Sequence, residues 1–220
     1  MRKVSQSDFS YALSLLPKYE QEYIMKFQRL SDRYRCLIGK IMIRSTISKQ
    51  LGLSFNELNF AYNDFGKPYL KNDQNVHFNL SHSGDFVVAC IDKSKVGIDI
   101  EKIDNIPIDD ITNIFYQNEI NYIKNNDGNT TNLERFFRIW TLKESFLKYL
   151  GKGLSFGLKA IMFNIAESGA WHKIDYKVLK KIGHEKCHFN QMNLTNDYIV
   201  SVCREYESQE KLKEFYFNGE

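Results

Sequence analysis

Between positions 32 and 51 apolar residues recur at helical spacing, with Cys36, Ile38, Ile41, Met42, Ile47 and Leu51 on one face. A three-to-four-residue repeat marks an amphipathic helix, so a long helix is predicted there, ending at Gly52-Leu53-Ser54-Phe55. A second helical pattern covers residues 133–150, ends at Gly151 and reaches Gly153-Leu154-Ser155-Phe156. Each Gly-Leu-Ser-Phe run leads into a strand-like stretch, residues 58–62 and 160–165. Further on, Asn79-Leu80 precedes the strand-like run from Asp85, and Asn193-Leu194 precedes the one from Asp197. The same order of elements therefore returns about a hundred residues later. It predicts an α+β fold of two similar halves, residues 1–103 and 104–220, joined near 102–110. A cleft between such halves is a common place for a ligand.

Composition narrows the classes. Apolar residues make up 43% and charged residues 26%, which excludes wholesale disorder. The net charge of +3 is too mild for bulk nucleic-acid or membrane-surface binding. The longest apolar run, residues 86–91, is far short of a membrane helix, and the polar start shows no signal peptide. Four scattered cysteines without a CxxC pair suit reduced thiols, so a cytoplasmic protein is expected.

Several short segments carry candidate chemistry. Val96-Gly97-Ile98-Asp99-Ile100-Glu101 alternates as a strand does, which puts Asp99 and Glu101 on one face. Two carboxylates there suit Mg²⁺, or they are ordinary acids at a solvated strand end. On the second long helix Trp140, Glu144 and Lys148 share a stripe apart from the buried one of Ile139, Leu142, Phe146 and Leu150. Glu144 and Lys148 are there either a surface ion pair or a third metal carboxylate and a phosphate-binding ammonium. Ser81 and His82 lie at a Ser/Gly turn suited to an anion, and no G-x-S-x-G elbow supports a hydrolase triad. Lys67 stands in the turn Asp64-Phe65-Gly66-Lys67-Pro68, while Arg35, Lys40 and Arg44 stand on the first long helix. His184, Cys187 and His188 lack the second Cys/His pair of a zinc site.

In this order the segments F-G-K-P (65–68), F-N-L-S-H-S-G (78–84), V-G-I-D-I-E (96–101) and W-T-L-K-E-S-F-L-K (140–148) closely resemble the surfactin-type 4′-phosphopantetheinyl transferases. Residues 39–45 and 151–155 fit the same pattern, and the resemblance covers roughly 20–205. It implies a pseudo-two-fold monomer with coenzyme A and Mg²⁺ (or Mn²⁺) in the cleft. The phosphopantetheine arm would pass to a serine of an apo carrier protein, with release of adenosine 3′,5′-bisphosphate. By position, Asp99, Glu101 and Glu144 correspond to metal ligands, and Glu144 and Lys148 to the catalytic pair. His82 and Lys148 match phosphate contacts, Lys67 and Ser81 match coenzyme A contacts, and Arg44 and Arg35 match nucleotide-phosphate contacts. One departure stands out. Where the family often carries basic residues ahead of the first long helix, this chain has Glu20-Gln21-Glu22-Tyr23, with only Lys18 and Lys26 nearby.

The resemblance also implies a docking surface for the carrier beside the metal strand. In residues 111–123, Phe115, Ile120 and Ile123 can pack inward and leave Asn113 and Tyr116 as candidates to face the partner, or all of them belong to the core. Rival functions are a Mg²⁺-dependent phosphohydrolase acting on nucleotides and a non-catalytic carrier-binding module.

Overall fold

A computed structural model of the chain describes residues 5–125, 130–153, 156–165, 171–174, 187–205 and 213–218. Three helices come first: α1 (Gln6–Ser14), α2 (Lys18–Met25) and α3 (Leu30–Leu51). Strands β1 (Phe60–Tyr62), β2 (Pro68–Leu70), β3 (His77–Ser83), β4 (Phe86–Asp92) and β5 (Val96–Lys102) follow. A 3-10 helix (Ile108–Ile114) then leads into α4 (Gln117–Lys124) and α5 (Asn132–Leu150). A short 3-10 helix (Leu158–Ala160) and strands β6 (Phe163–Ile165), β7 (Trp171–Ile174), β8 (Cys187–Thr195), β9 (Tyr198–Glu205) and β10 (Lys213–Asn218) complete the order.

The two predicted long helices are α3 and α5. Both stop in the same way, at Gly52 (φ 69°) and Gly151 (φ 67°) in the left-handed region, which a residue without Cβ enters freely. α5 starts at Thr131, whose side chain accepts a hydrogen bond from Glu134 N. Each helix is followed by a small antiparallel pair, β1–β2 or β6–β7, and then by a hairpin, β3–β4 or β8–β9. Helix, ribbon and hairpin thus repeat in the order that the sequence echo predicts. In the second Gly-Leu-Ser-Phe run, Leu154 and Ser155 lie outside the described residues, as does His184.

The halves are not closed units. β5 precedes the joint expected near 102–110, yet it pairs antiparallel with β9 in the sheet β5-β9-β8. β10, from the end of the chain, pairs antiparallel with β4 in the sheet β10-β4-β3. Each hairpin therefore takes its third strand from the other half. Between the sheets, Phe86, Val88 and Cys90 of β4 pack on Val96, Ile98 and Ile100 of β5 and on Tyr198, Val200 and Val202 of β9. On the outer faces, Ile43 and Ile47 of α3 bury against Phe78, Ala89 and Ile91. Likewise Leu142, Phe146 and Leu147 of α5 form a core with Ile161, Phe163 and Cys203.

One contact sets the height of α5 over β5. A Cβ added to Gly97 would come within 2.1 Å of Ser145 O and 2.3 Å of Tyr149 N. Only glycine lets the helix backbone sit that close, and the approach brings Glu144 and Lys148 over the carboxylates of β5.

Candidate active site in the cleft

β3 and β5 lie side by side at the junction of the two sheets. They share no backbone ladder; side chains at every second position of β3 bridge them. Asn79 Oδ1 accepts from Ile98 N at 2.8 Å, Ser81 Oγ donates to Asp99 Oδ1 at 2.8 Å and Ser83 Oγ donates to Glu101 Oε2 at 2.9 Å. Ser83 Oγ also accepts from Lys102 N. The alternation of a strand thus makes Asn79, Ser81 and Ser83 a polar seam. Ser81 was found by sequence reasoning; Asn79 and Ser83 were missed, although the period-two run N-L-S-H-S carried the signal.

Lys148 reaches over this seam from α5. Its Nζ lies 2.6 Å from Asp99 Oδ1 and 2.7 Å from Ser81 Oγ. Asp99 is buried, and its second oxygen, Oδ2, is buried without a hydrogen-bond partner. Burial raises the Asp99 pKa despite the opposing charge of Lys148. Glu101 accepts from Trp140 Nε1 at 3.3 Å as well as from Ser83. Burial first, and then the charge of Asp99, pushes Glu101 and Glu144 up to about 7 each. Among the described residues, no three His, Cys, Asp or Glu side chains are gathered so as to hold an ion as they stand. Of the three carboxylates Lys148 meets Asp99 alone, however, while Glu101 and Glu144 only feel its charge, and Asp99 Oδ2 is left without a hydrogen-bond partner. That charge surplus suits a hard divalent cation with oxygen ligands.

His82 and Arg35, with Ser81 of the seam, line a cavity of about 350 Å³. The His82 side chain is solvent-accessible, yet the protein mass around it, and then the charges of Arg35 and Lys148, draw its pKa below the ordinary value. A neutral imidazole can still donate one N–H to a phosphate oxygen. Arg35 braces the rim, donating to Gly84 O at 2.8 Å and pairing with Asp32 at 2.7 Å.

Two residues matched to coenzyme A contacts already have partners within the protein. The Lys67 ammonium donates to Val96 O at 2.9 Å and to the carbonyls of Lys148 and Tyr149. The last carbonyls of a helix have no partners within it, so Lys67 caps α5 from outside. Burial lowers its pKa to about 8. Arg44 is 1% exposed and bonded to Glu20, Tyr19 and the carbonyls of Phe55 and Leu58. It is a fastening of α3 to α2 and the 55–58 turn, with its donor edges already committed.

Behind the site, Lys143 and Glu119 form a fully buried ion pair at 2.9 Å, each 0% exposed. Glu119 also accepts from Tyr116 N at 2.9 Å and Phe163 N at 2.8 Å, and Lys143 donates to Leu158 O and Ile161 O. One pair therefore ties α4, α5 and the 158–163 segment together. Phe115 and Ile123 are buried and Ile120 is half-buried. Asn113 is exposed, and Tyr116 is half-buried with the Lys143 ammonium 5.6 Å from its ring centre.

The cleft between the two halves thus brings together buried carboxylates, an ammonium and a Ser/Gly turn. Residues 3–93 match the family model described as 4′-phosphopantetheinyl transferase, N-terminal, and residues 95–203 match that of the 4′-phosphopantetheinyl transferase superfamily. The 4′-phosphopantetheinyl transferase ffp of Bacillus subtilis is 30% identical over 202 residues, 92% of this chain and 88% of the relative. The 4′-phosphopantetheinyl transferase gsp of Aneurinibacillus migulanus is 30% identical over 200 residues, 91% and 81% of the two chains. The L-aminoadipate-semialdehyde dehydrogenase-phosphopantetheinyl transferase of Mus musculus is 28% identical over 215 residues, 90% of this chain and 70% of that protein. The chain belongs to the 4′-phosphopantetheinyl transferase superfamily.

Proposed function

We propose that this enzyme moves the 4′-phosphopantetheine arm of coenzyme A to a serine hydroxyl of an apo carrier protein. The observation that carries the reading is the Lys148–Asp99–Ser81 cluster, whose Ser81 also lines the cavity. In the reaction a bond forms between the serine oxygen and the β-phosphorus as the pyrophosphate bridge breaks. The serine proton leaves, and adenosine 3′,5′-bisphosphate departs.

Each residue has a part in this. Asp99, Glu101 and Glu144 would hold Mg²⁺ or Mn²⁺, which when bound neutralises pyrophosphate charge. Lys148, freed from Asp99 by the incoming anion, would balance charge on the transferred phosphate. His82 and Ser81 would orient it, and Arg35 would meet the nucleotide end. Glu144, carried over β5 by α5, suits a general base that takes the serine proton. The nucleophile comes from the partner, so the chain needs none of its own.

One chain contains the whole cleft, which supports action as a monomer. Its four cysteines are free thiols, as suits the cytoplasm, and no described helix is long and apolar enough to cross a membrane. The carrier would dock beside the metal strand, with Tyr116 and Asn113 facing it. Mass spectrometry of apo carriers incubated with the enzyme, coenzyme A and Mg²⁺ tests the reading: each loaded carrier gains the mass of one phosphopantetheine. Loss of coenzyme A with no modified carrier would favour the phosphohydrolase instead.

A further inference from the structure

The cavity beside Ser81 and His82 runs back along α3 toward α2, with walls that include Tyr23, Phe27, Phe60 and Tyr62. Three cations line it (Arg35, Lys40 and Arg44) along with two carboxylates, Glu20 and Asp32. Each of these cations has a carboxylate partner, although Arg35 Nε is left without a hydrogen-bond partner. Arg35 meets Asp32 at 2.7 Å, while Lys40 and Arg44 both meet Glu20 at 2.8 Å. Glu20 is 4% exposed, and although burial opposes it, hydrogen bonds from Arg44 and Lys40 keep it ionised.

Resting on the transferase reading, the occupant of this cavity follows from the reaction. The pantetheine arm leaves joined to the carrier and must withdraw with it. The nucleotide leaves as a separate small product, so the nucleotide end is the part that can sit deep. An aromatic-walled cavity accepts a purine readily. A 3′-phosphate is different: it adds close to two negative charges, and a site that selects for it needs an unpaired cation. Glu20 cancels the two cations in the cavity floor. Its neighbours Gln21, Glu22 and Tyr23 add no positive charge.

We propose that Glu20 sets the selectivity for the donor's 3′ substituent, and that this enzyme uses 3′-dephospho-coenzyme A about as readily as coenzyme A. With the dephospho donor the same bonds form and break, and the leaving group is AMP in place of adenosine 3′,5′-bisphosphate.

A one-tube competition tests this. Equal concentrations of the two donors compete for limiting apo carrier, and the two nucleotide products are separated and quantified. Their ratio equals the ratio of kcat/KM values and does not depend on how much enzyme is folded. Wild type should give a ratio within ~10-fold of unity, and Glu20→Gln should move it toward coenzyme A by ~5-fold or more as a cation is released. Lys40→Met, which leaves Glu20 in excess, should move it the other way, and this variant decides the matter if Glu20→Gln does not fold. A wild-type preference for coenzyme A beyond ~10-fold, or variants that leave the ratio in place, overturns the proposal and leaves the transferase reading standing. If neither donor modifies any carrier, it is the transferase reading that fails.

Discussion

Glu144 and Glu101 show how much burial, and after it a neighbouring charge, does to a carboxylate. Each is an ordinary carboxylate in sequence, yet both are pushed from 4.5 to about 7, by burial first and Asp99 second. The sign follows directly. A carboxylate whose folded pKa is raised favours folding while protonated, so its contribution is full below about 4.5 and is lost as pH rises through about 7. Metal-free enzyme should therefore lose thermal stability across that window, and Glu144→Gln should flatten the decline; a melting series in chelator reads both. A Glu144→Gln profile as steep as wild type would remove this carboxylate from the effect. In catalysis the same substitution should cut turnover by ~10²-fold or more, the usual loss for an acid–base group. Carrier loading at wild-type rate would contradict its role as base. Lys148→Ala should lower kcat more than it weakens coenzyme A binding, since its charge matters most where charge is redistributed. A change confined to binding would make it an anchor only.

At the scale of elements, the seam between β3 and β5 and the approach of α5 to β5 make the site. The helices, the hairpins and their repeated order were legible because each rests on local spacing and on the glycine that ends a helix. Asp99, Glu101, Glu144, Lys148, Ser81 and His82 stood out as motifs, and of these the fold joins Lys148, Asp99 and Ser81 directly. The partners of Lys67 and Arg44 were not legible, because a basic residue looks the same in sequence whether it faces solvent, a phosphate or the end of a helix. Only the fold shows that the carbonyls of Lys148 and Tyr149 wait beside Lys67. Nor does pattern reveal that Lys143 and Glu119, twenty-four positions apart, meet in the core. Lys143→Met should destabilise the protein by ~3–5 kcal/mol, because it strands a buried carboxylate. Denaturant unfolding measures this, and a loss within ~0.5 kcal/mol would mean that water reaches Glu119. Gly97→Ala should likewise lower stability, by ~1–3 kcal/mol as overpacking does. It should lower carrier loading too, since Glu144 and Lys148 ride on the displaced helix. A variant that folds as wild type and loads carrier at full rate would show that α5 can move away without harm.

At the scale of the whole molecule, the exchange of β5 and β10 makes two similar halves into one cooperative body. β4 has β3 on one side and β10 on the other, so removing the chain after Glu205 would bare the β4 edge from Phe86 to Ile91. Exposed edge backbone is a template for pairing with other chains. None of the residues assigned to chemistry lies beyond Glu205, so a view of independent halves expects the truncated enzyme to keep its activity and its melting temperature. Strand exchange expects otherwise. Losing the β10 ladder should lower the melting temperature by several degrees, at ~2–4 °C per kcal/mol for a chain of this size. Because β4 packs through Phe86, Val88 and Cys90 onto β5 and β9, the loss should appear as one earlier transition of the entire protein. Scanning calorimetry of full-length and truncated enzyme distinguishes the two views. A truncated protein that melts in two steps, with the later one unshifted, would show that the halves fold independently and that β10 is only an appended strand.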